Sequence, residues 1–324
     1  MKGPFVPHAL LRNAHLQTLF AGLPTRSYTP AGATARELRI ELPDGDALHA
    51  RTHAPPRPKR TTALLVHGLG GSSRSAYLVR AARAIHEAGH RVVALDLRGA
   101  GESAATSRAL YHAGATGDLG AAIARVLREP GVEDLVVVGF SLGGQIALLA
   151  AAEWGSAPPP GVRAVVALCS PIDLAASSRK IERLRVRPYL RYVMRSLVGG
   201  ALSLAERVPG AIALPRAAIA KLATIREYDE KIIAPMHGFA SADAYYAACS
   251  SGPRLHRIAT PTHVFAAEDD PMVPADTLRS WLARASPSVR VTWSAHGGHL
   301  GFVAALGDGL RRTWVNERLI EILA

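Results

Sequence analysis

The stretch VVVGFSLGGQIALLAA, residues 136–151, decides how this chain is read. A β-branched run (Val136, Val137, Val138) passes into Gly139-Phe140-Ser141-Leu142-Gly143-Gly144. Good helix formers then continue from Gln145 to Glu153. Branched residues favour the pleated strand, whereas Gln, Ala and Leu favour the helix. The pattern therefore predicts strand, sharp turn and helix, with a serine at the apex. Gly-x-Ser-x-Gly at such a junction puts the hydroxyl on a strained turn above the sheet. Alone, the same motif also describes a small residue in a glycine-rich turn, so its meaning depends on what the rest of the chain supplies.

A serine hydroxyl attacks only when a base takes its proton, and the base needs an acid to orient it. In this arrangement the acid and then a histidine follow the serine, each after a later strand. PTHVFAAEDDPMVP (261–274) ends a predicted strand with Glu268-Asp269-Asp270, and VRVTWSAHGGHLGF (289–302) ends the next with His296 and His299. Asp270 lies 129 residues after Ser141, and His299 a further 29. Asp270 is the expected acid because Asp-x-x-Val-Pro places it in the turn leaving the strand; Asp269 is its competitor. His299 is the expected base because Gly298 lets its loop curl towards the serine. His296 is expected to cap that loop or meet solvent.

The oxyanion formed on an attacked carbonyl needs two fixed donors. One expected donor is the N–H of Leu142 at the head of the helix. The other is the N–H of Leu69 in His67-Gly68-Leu69-Gly70-Gly71, which follows the predicted strand TTALLV (61–66). His67 reads as a residue that shapes this loop. Gly68-Leu69-Gly70 followed by Asp96 imitates a dinucleotide fingerprint, but Ser73 occupies the third glycine position and the acid comes 28 residues after Gly68. That alternative leaves the serine, acid and histidine unexplained.

Outward from these motifs, strand-like and helical patterns alternate from about residue 36. RELRIELP and ALHARTHA predict a hairpin about Pro43-Asp44-Gly45-Asp46. HRVVALDLRG and VRAVVALCSP predict further strands, with a helix expected near Thr277–Ala285 and another at the C-terminus. Repeated strand–helix units imply a mostly parallel central sheet with helices on both faces, an α/β class. Between Leu174 and Arg257 no strand is expected. The expectation is one domain over 1–324, with an N-terminal extension over about 1–35 and a helical cap inserted over about 174–257.

The 324 residues carry a formal net charge of +12, but only five of the 38 basic residues are lysines, and alanine is abundant. That bias reads as a general compositional preference, so no nucleic-acid partner is expected. Cys169 and Cys249 form no disulfide framework, and no apolar run reaches the roughly 18 residues of a spanning helix. The N-terminus, interrupted by Pro4, Pro7, Arg12 and Asn13, lacks a signal-peptide core. A soluble, cytoplasmic protein is expected.

HGLGG, RGAGES, GFSLGG, EDDPMVP and HGGHLG, in that order, resemble the α/β-hydrolases. LRNAHLQTLF, LYHAG followed by Asp118, IREYDEKI, HGFASADAYYAACS and HGGHLGF resemble the YheT-type branch of that family, and these phrases span nearly the whole chain. The resemblance implies Ser141 as nucleophile, Asp270 as acid and His299 as base, acting on acyl esters as a carboxylesterase or lipase with no metal or organic cofactor. Acyl transfer on the same residues, and a non-catalytic binding protein on the same fold, are the alternatives. SRKIERLRVRPYLRYVMRSLVGG (178–200) carries seven basic residues against Glu182. Either its apolar positions Leu190, Val193, Met194 and Leu197 pack on the core, leaving a solvated charged face, or this face touches anionic membrane surfaces transiently.

Overall fold

In a computed structural model the described residues are 3–23, 34–183, 187–305 and 313–324. Parts of two expectations therefore fall outside them: residues 1–2 and 24–33 of the N-terminal stretch, and Arg185 with the side chains of residues 187–190 in the basic segment.

One eight-stranded sheet organises the chain. Its strands are β1 (Thr34–Glu41), β2 (Ala47–Ala54), β3 (Thr61–Val66), β4 (Arg91–Asp96), β5 (Asp134–Phe140), β6 (Val162–Leu168), β7 (Thr262–Ala267) and β8 (Val289–Ser294), in the spatial order β1-β2-β4-β3-β5-β6-β7-β8. The hairpin β1–β2 is antiparallel, as is the β2–β4 pairing, and every pairing from β4 to β8 is parallel. The hairpin turn forms where Asp44 Oδ1 accepts the amide of Asp46 and Gly45 adopts φ 86°.

The central strands are apolar throughout because both faces are covered. Alternate residues feed two cores: Leu64, Val66, Val93, Leu95, Leu135 and Val137 on one face, and Ala63, Leu65, Val92, Ala94, Val136 and Val138 on the other. Helices α3 (Thr116–Leu127) and α4 (Leu142–Trp154) bury side chains in the first core. Helix α2 (Ala76–Glu87) and the C-terminal helix (Trp314–Leu323) fill the second. Ahead of the sheet, α1 (Ala14–Gly22) is capped by Asn13, whose Oδ1 accepts from the amides of His15 and Leu16.

Between β6 and β7 the chain is helical, with no strand among the described residues. Helices α5 (Leu174–Ile181), α6 (Arg187–Arg207), α7 (Arg216–Ile219) and α8 (Ile225–Tyr228) lead into a π-turn at Asp229–Ile233, then α9 (Ala234–Met236) and α10 (Ala242–Cys249). The apolar stripe of α6, formed by Val193, Met194 and Leu197, is buried in the first core, and Arg191, Tyr192 and Arg195 face outwards. The helix expected at Thr277–Ala285 begins two residues earlier, as α11 (Ala275–Leu282), because Pro274 cannot continue a helix backwards and starts it instead. Among the described residues no helix is long and apolar enough to cross a membrane.

Candidate active site

Every candidate residue lies just beyond the C-terminal end of a parallel strand, the edge where open α/β sheets hold their ligands. Ser141 joins β5 to α4 with φ 50° and ψ −116°, a conformation costing a non-glycine residue roughly 1–3 kcal/mol. The turn is sharp enough that a Cβ on Gly139 would collide with Gly143, and one on Gly143 would collide with the carbonyl of Val66. The surrounding structure holds the strain in place. The Ser141 amide donates to Leu168 O at 2.8 Å, while Ser141 O accepts from the amides of Gly144 and Gln145. Gln145 is fully buried; its Oε1 accepts the Ser251 hydroxyl at 2.6 Å and its amide donates to Cys249 O, tying α4 to the chain that returns to the sheet.

His299 Nε2 stands 3.0 Å from Ser141 Oγ, and His299 Nδ1 stands 2.8 Å from Asp270 Oδ2. Asp270 is 3% exposed, and its Oδ1 accepts the amides of Met272 and Val273 at 2.8 and 3.0 Å. The Asp-x-x-Val turn thus fixes the carboxylate and leaves Oδ2 for the imidazole. Lys180 of α5 donates to the carbonyls of Asp270 and Val273 at 2.7 and 3.0 Å, which pins the turn from the other side. Asp269 points elsewhere: Oδ1 accepts the Gly298 amide at 2.9 Å and Oδ2 lies 3.5 Å from His296 Nδ1. Burial raises its carboxyl above the usual range. His296 sits at the half-exposed rim of this loop.

Leu69 and Leu142 line the same cavity as Ser141 and His299. Hydroxyls take the amides on either side of Leu69: Tyr77 Oη accepts from Gly68 at 2.9 Å and Tyr111 Oη accepts from Gly70 at 2.7 Å. Among the described residues no protein acceptor takes the amides of Leu69 or Leu142, the latter being one of the unpaired donors that begin any helix. Beside them, His67 is fully buried and burial lowers its pKa. Its Nε2 accepts the Leu97 amide at 3.1 Å, which leaves the proton on Nδ1 to donate to Gly68 O at 2.8 Å. His67 thus braces the loop, and among the described residues no hydrogen bond joins it to Ser141 or His299. Asp96, the acid of the apparent dinucleotide fingerprint, is spent on the amides of Ser73 and Glu102 and the Ser73 hydroxyl.

The cavity has a volume of about 990 Å³ and is bounded by the loops after β3 and β5, by α1 and by the helices between β6 and β7. One set of three potential metal ligands occurs among the described residues, Cys169, Asp270 and His299, within 4.8 Å of one another. Two of them are already bonded to each other. Burial and the neighbouring Asp270 carboxylate push the Cys169 thiol well up, which disfavours the thiolate a metal needs.

Several supporting residues went unassigned on sequence grounds. Gln17 and Thr18, on the buried side of α1, grip the histidine loop: Thr18 Oγ1 accepts the His299 amide at 2.9 Å and Gln17 Oε1 accepts the Val303 amide at 2.8 Å. Their signal was LRNAHLQTLF itself, a helix whose polar residues fall where a core face is expected. Tyr77 and Tyr111 carried no signal beyond their places in the helix after HGLGG and in LYHAG.

A family model described as alpha/beta hydrolase fold matches residues 63–305. The chain is 33% identical over 324 residues to the provisionally named esterase YheT of Escherichia coli (strain K12), covering 98% of this chain and 92% of that one. It is 28% identical over 248 residues to phospholipase ABHD3 of Mus musculus, covering 76% of this chain and 59% of that protein. It is also 28% identical over 273 residues to the monoacylglycerol lipase of Saccharomyces cerevisiae (strain ATCC 204508 / S288c), covering 80% and 58%. The match thus spans less than two thirds of the phospholipase and of the lipase. Among solved structures, the Pyrococcus furiosus esterase Pf2001 aligns with TM-score 0.59 at 15% identity, over 93% of this chain and 98% of that one. The 2,6-dihydroxy-pseudo-oxynicotine hydrolase aligns with TM-score 0.62 at 18% identity, over 96% and 72%. At such identities the likeness is one of fold.

Proposed function

The chain belongs to the α/β-hydrolase fold family, on its YheT-type branch, and from that premise we propose that it is a serine hydrolase of carboxylic esters. The observation that carries this is the unbroken line from Asp270 through His299 to Ser141, 2.8 and 3.0 Å per step, ending in the cavity beside two unspent amides. His299 Nε2 takes the Ser141 proton as Oγ attacks the ester carbonyl. The carbonyl oxygen becomes an oxyanion between the amides of Leu69 and Leu142. On collapse the C–O bond to the alcohol breaks, and His299 gives its proton to the departing oxygen. Water, deprotonated by His299, then cleaves the acyl-serine to free acid and restore Ser141. Asp270 holds the imidazole tautomer and steadies the imidazolium.

The mostly hydrocarbon lining suits an acyl chain, each methylene of which gains about 0.8 kcal/mol on burial. The phospholipase and lipase among the relatives make a lipid ester the favoured class. In this reading the chain is one hydrolase domain, with residues 174–257 forming a cap over the site.

A lipid surface is the proposed source of the ester. Six large apolar side chains stand exposed among the described residues: Val6, Leu10, Leu16, Leu19, Leu23 and Tyr192. Helix α1 is inverted, with Gln17 and Thr18 inside and Leu16 and Leu19 outside, because its polar residues are needed on the histidine loop. Leu19, Leu23 and Tyr192 also line the cavity, and exposed Arg191 and Arg195 flank Tyr192 on α6. An apolar rim at the cavity entrance, beside arginines that form no ion pair among the described residues, fits an anionic bilayer. From α6 only Tyr192 adds to the apolar rim, since the Val193, Met194 and Leu197 stripe is buried; Leu16, Leu19 and Leu23 come from α1 and its C-cap.

Product analysis with a p-nitrophenyl acyl ester, with and without added alcohol, tests the reaction type. Free acid as the main product supports hydrolysis; an acyl ester of the added alcohol as the main product would replace it with transfer.

A further inference from the structure

IREYDEKI (225–232) has no part in the chemistry above, yet it brings a carboxyl to the cavity wall. Helix α8 ends at Tyr228, and the chain widens into a π-turn from Asp229 to Ile233, a local irregularity that recurs at functional sites. Around it the lining contributed by Leu174, Ile181, Val193, Leu197, Ile225 and Ile233 is apolar. Asp229, Tyr246, Ser177 and Ser178 interrupt that lining. Asp229 is 8% exposed, and its Oδ2 accepts the Tyr246 hydroxyl at 2.7 Å. Tyr246 Oη lies 3.4 Å from Ser178 Oγ, and Ser177 Oγ is buried with no hydrogen-bond partner among the described residues.

A carboxyl in this position is costly, and among the described residues no cation forms an ion pair with it. The Arg226 guanidinium, whose charge acts on Asp229, gives its two hydrogen bonds to Asp243 at 2.6 and 2.7 Å. Burial pushes the Asp229 carboxyl up to about 7; the Tyr246 bond and the Arg226 charge oppose this, and the Glu182 charge adds to it. An apolar residue of similar size would pack there at lower cost. A buried carboxyl that faces a cavity and meets a single tyrosine hydroxyl among the described residues is what a bound polar group would complete.

We propose that Asp229, with Tyr246 and Ser178, forms a polar subsite that takes a hydroxyl group of the substrate, so that the ester turned over is a hydroxylated one. This rests on the ester-hydrolase reading above. A hydroxyl both donates and accepts, matching a cluster of one carboxyl and two hydroxyls. Burial favours the neutral carboxyl, which suits a neutral hydroxyl better than an ammonium group.

Two matched pairs of esters test it, one for each side of the scissile bond: monodecanoylglycerol against methyl decanoate, and p-nitrophenyl ω-hydroxydecanoate against p-nitrophenyl decanoate. kcat/KM is measured for the native chain, Asp229→Asn and Asp229→Leu, with fluorophosphonate labelling of Ser141 reporting an intact site in each. The native chain is expected to prefer the hydroxylated member of at least one pair. That preference should fall about tenfold in Asp229→Leu, the scale of one lost hydrogen bond, and less in Asp229→Asn. A purely structural Asp229 would lower both members of a pair alike, and unchanged selectivity in both pairs would overturn the subsite while leaving the nucleophile standing. Failure of the native chain to turn over any of the four esters would remove the ester reading and the subsite together.

Discussion

The hydroxyl of Thr18 accepts a 2.9 Å hydrogen bond from the backbone amide of His299, 281 residues later in the chain. Thr18 in turn donates to Ala14 O at 2.8 Å, so the first turns of α1 are fastened to the loop that carries the proposed base. Gly298 fits only because it has no side chain: it adopts φ 57°, and a Cβ there would strike Ala14 O and Thr18 Oγ1. Helix α1 thus adds to the holds that Asp270 on the ring and Asp269 on the Gly298 amide already give this loop.

Thr18→Val keeps the volume and removes the acceptor. kcat on a soluble ester is expected to fall about tenfold or more with KM nearly unchanged, because a small displacement of a general base is costly. Thr18→Ser, which keeps the hydroxyl, should recover most of the rate. A valine variant with native kcat would show that the loop holds itself.

Asp270→Asn is expected to lower kcat by about 10⁴, since the imidazole loses the partner that fixes its tautomer. Asp269→Asn should cost less than about tenfold, because Asp269 bonds the Gly298 amide and the rim histidine, away from His299. Steady-state kinetics on the purified variants decides between them. Equal losses, or the reverse order, would overturn the assignment of the acid.

Co-sedimentation with vesicles tests the docking surface. Binding to vesicles containing phosphatidylglycerol is expected at low salt, weakening as salt rises, with each nearby arginine contributing about 1 kcal/mol. Replacing Leu16, Leu19 and Leu23 by serine, or Arg191 and Arg195 by glutamine, should reduce it; these positions lie outside the proton relay. Absence of binding to anionic vesicles at low salt would contradict the proposal. A concentration-dependent dimer dissolved by the leucine substitutions would assign the face to a second copy of the chain.

The sheet was largely legible because buried parallel strands leave unbroken apolar runs, such as TTALLV and DLVVVGF, between glycine-marked turns. The elbow was legible because Gly139 and Gly143 are forced by contact distance, which leaves a sequence mark. Asp-x-x-Val-Pro marked a turn whose Met272 and Val273 amides converge on Asp270. Contacts between distant segments were not legible. Nothing local says that Thr18 meets His299, that Lys180 pins the acid turn, or that Tyr77 and Tyr111 take the amides flanking Leu69. The outward leucines of α1 were missed for a related reason: periodicity marks an apolar face without saying that buried polar residues have claimed the inner one. In the basic segment, periodicity did mark the stripe of α6 that packs on the core.

The central claim is that Ser141 forms an acyl-enzyme. The direct measurement is intact-protein and peptide mass spectrometry after reaction with a fluorophosphonate, on the native chain and on Ser141→Ala, with ester hydrolysis followed in parallel. A single adduct on Ser141 in the native chain is expected, with both adduct and hydrolysis lost in the folded alanine variant. An adduct on another residue, or hydrolysis persisting in Ser141→Ala at the native rate, would contradict the account.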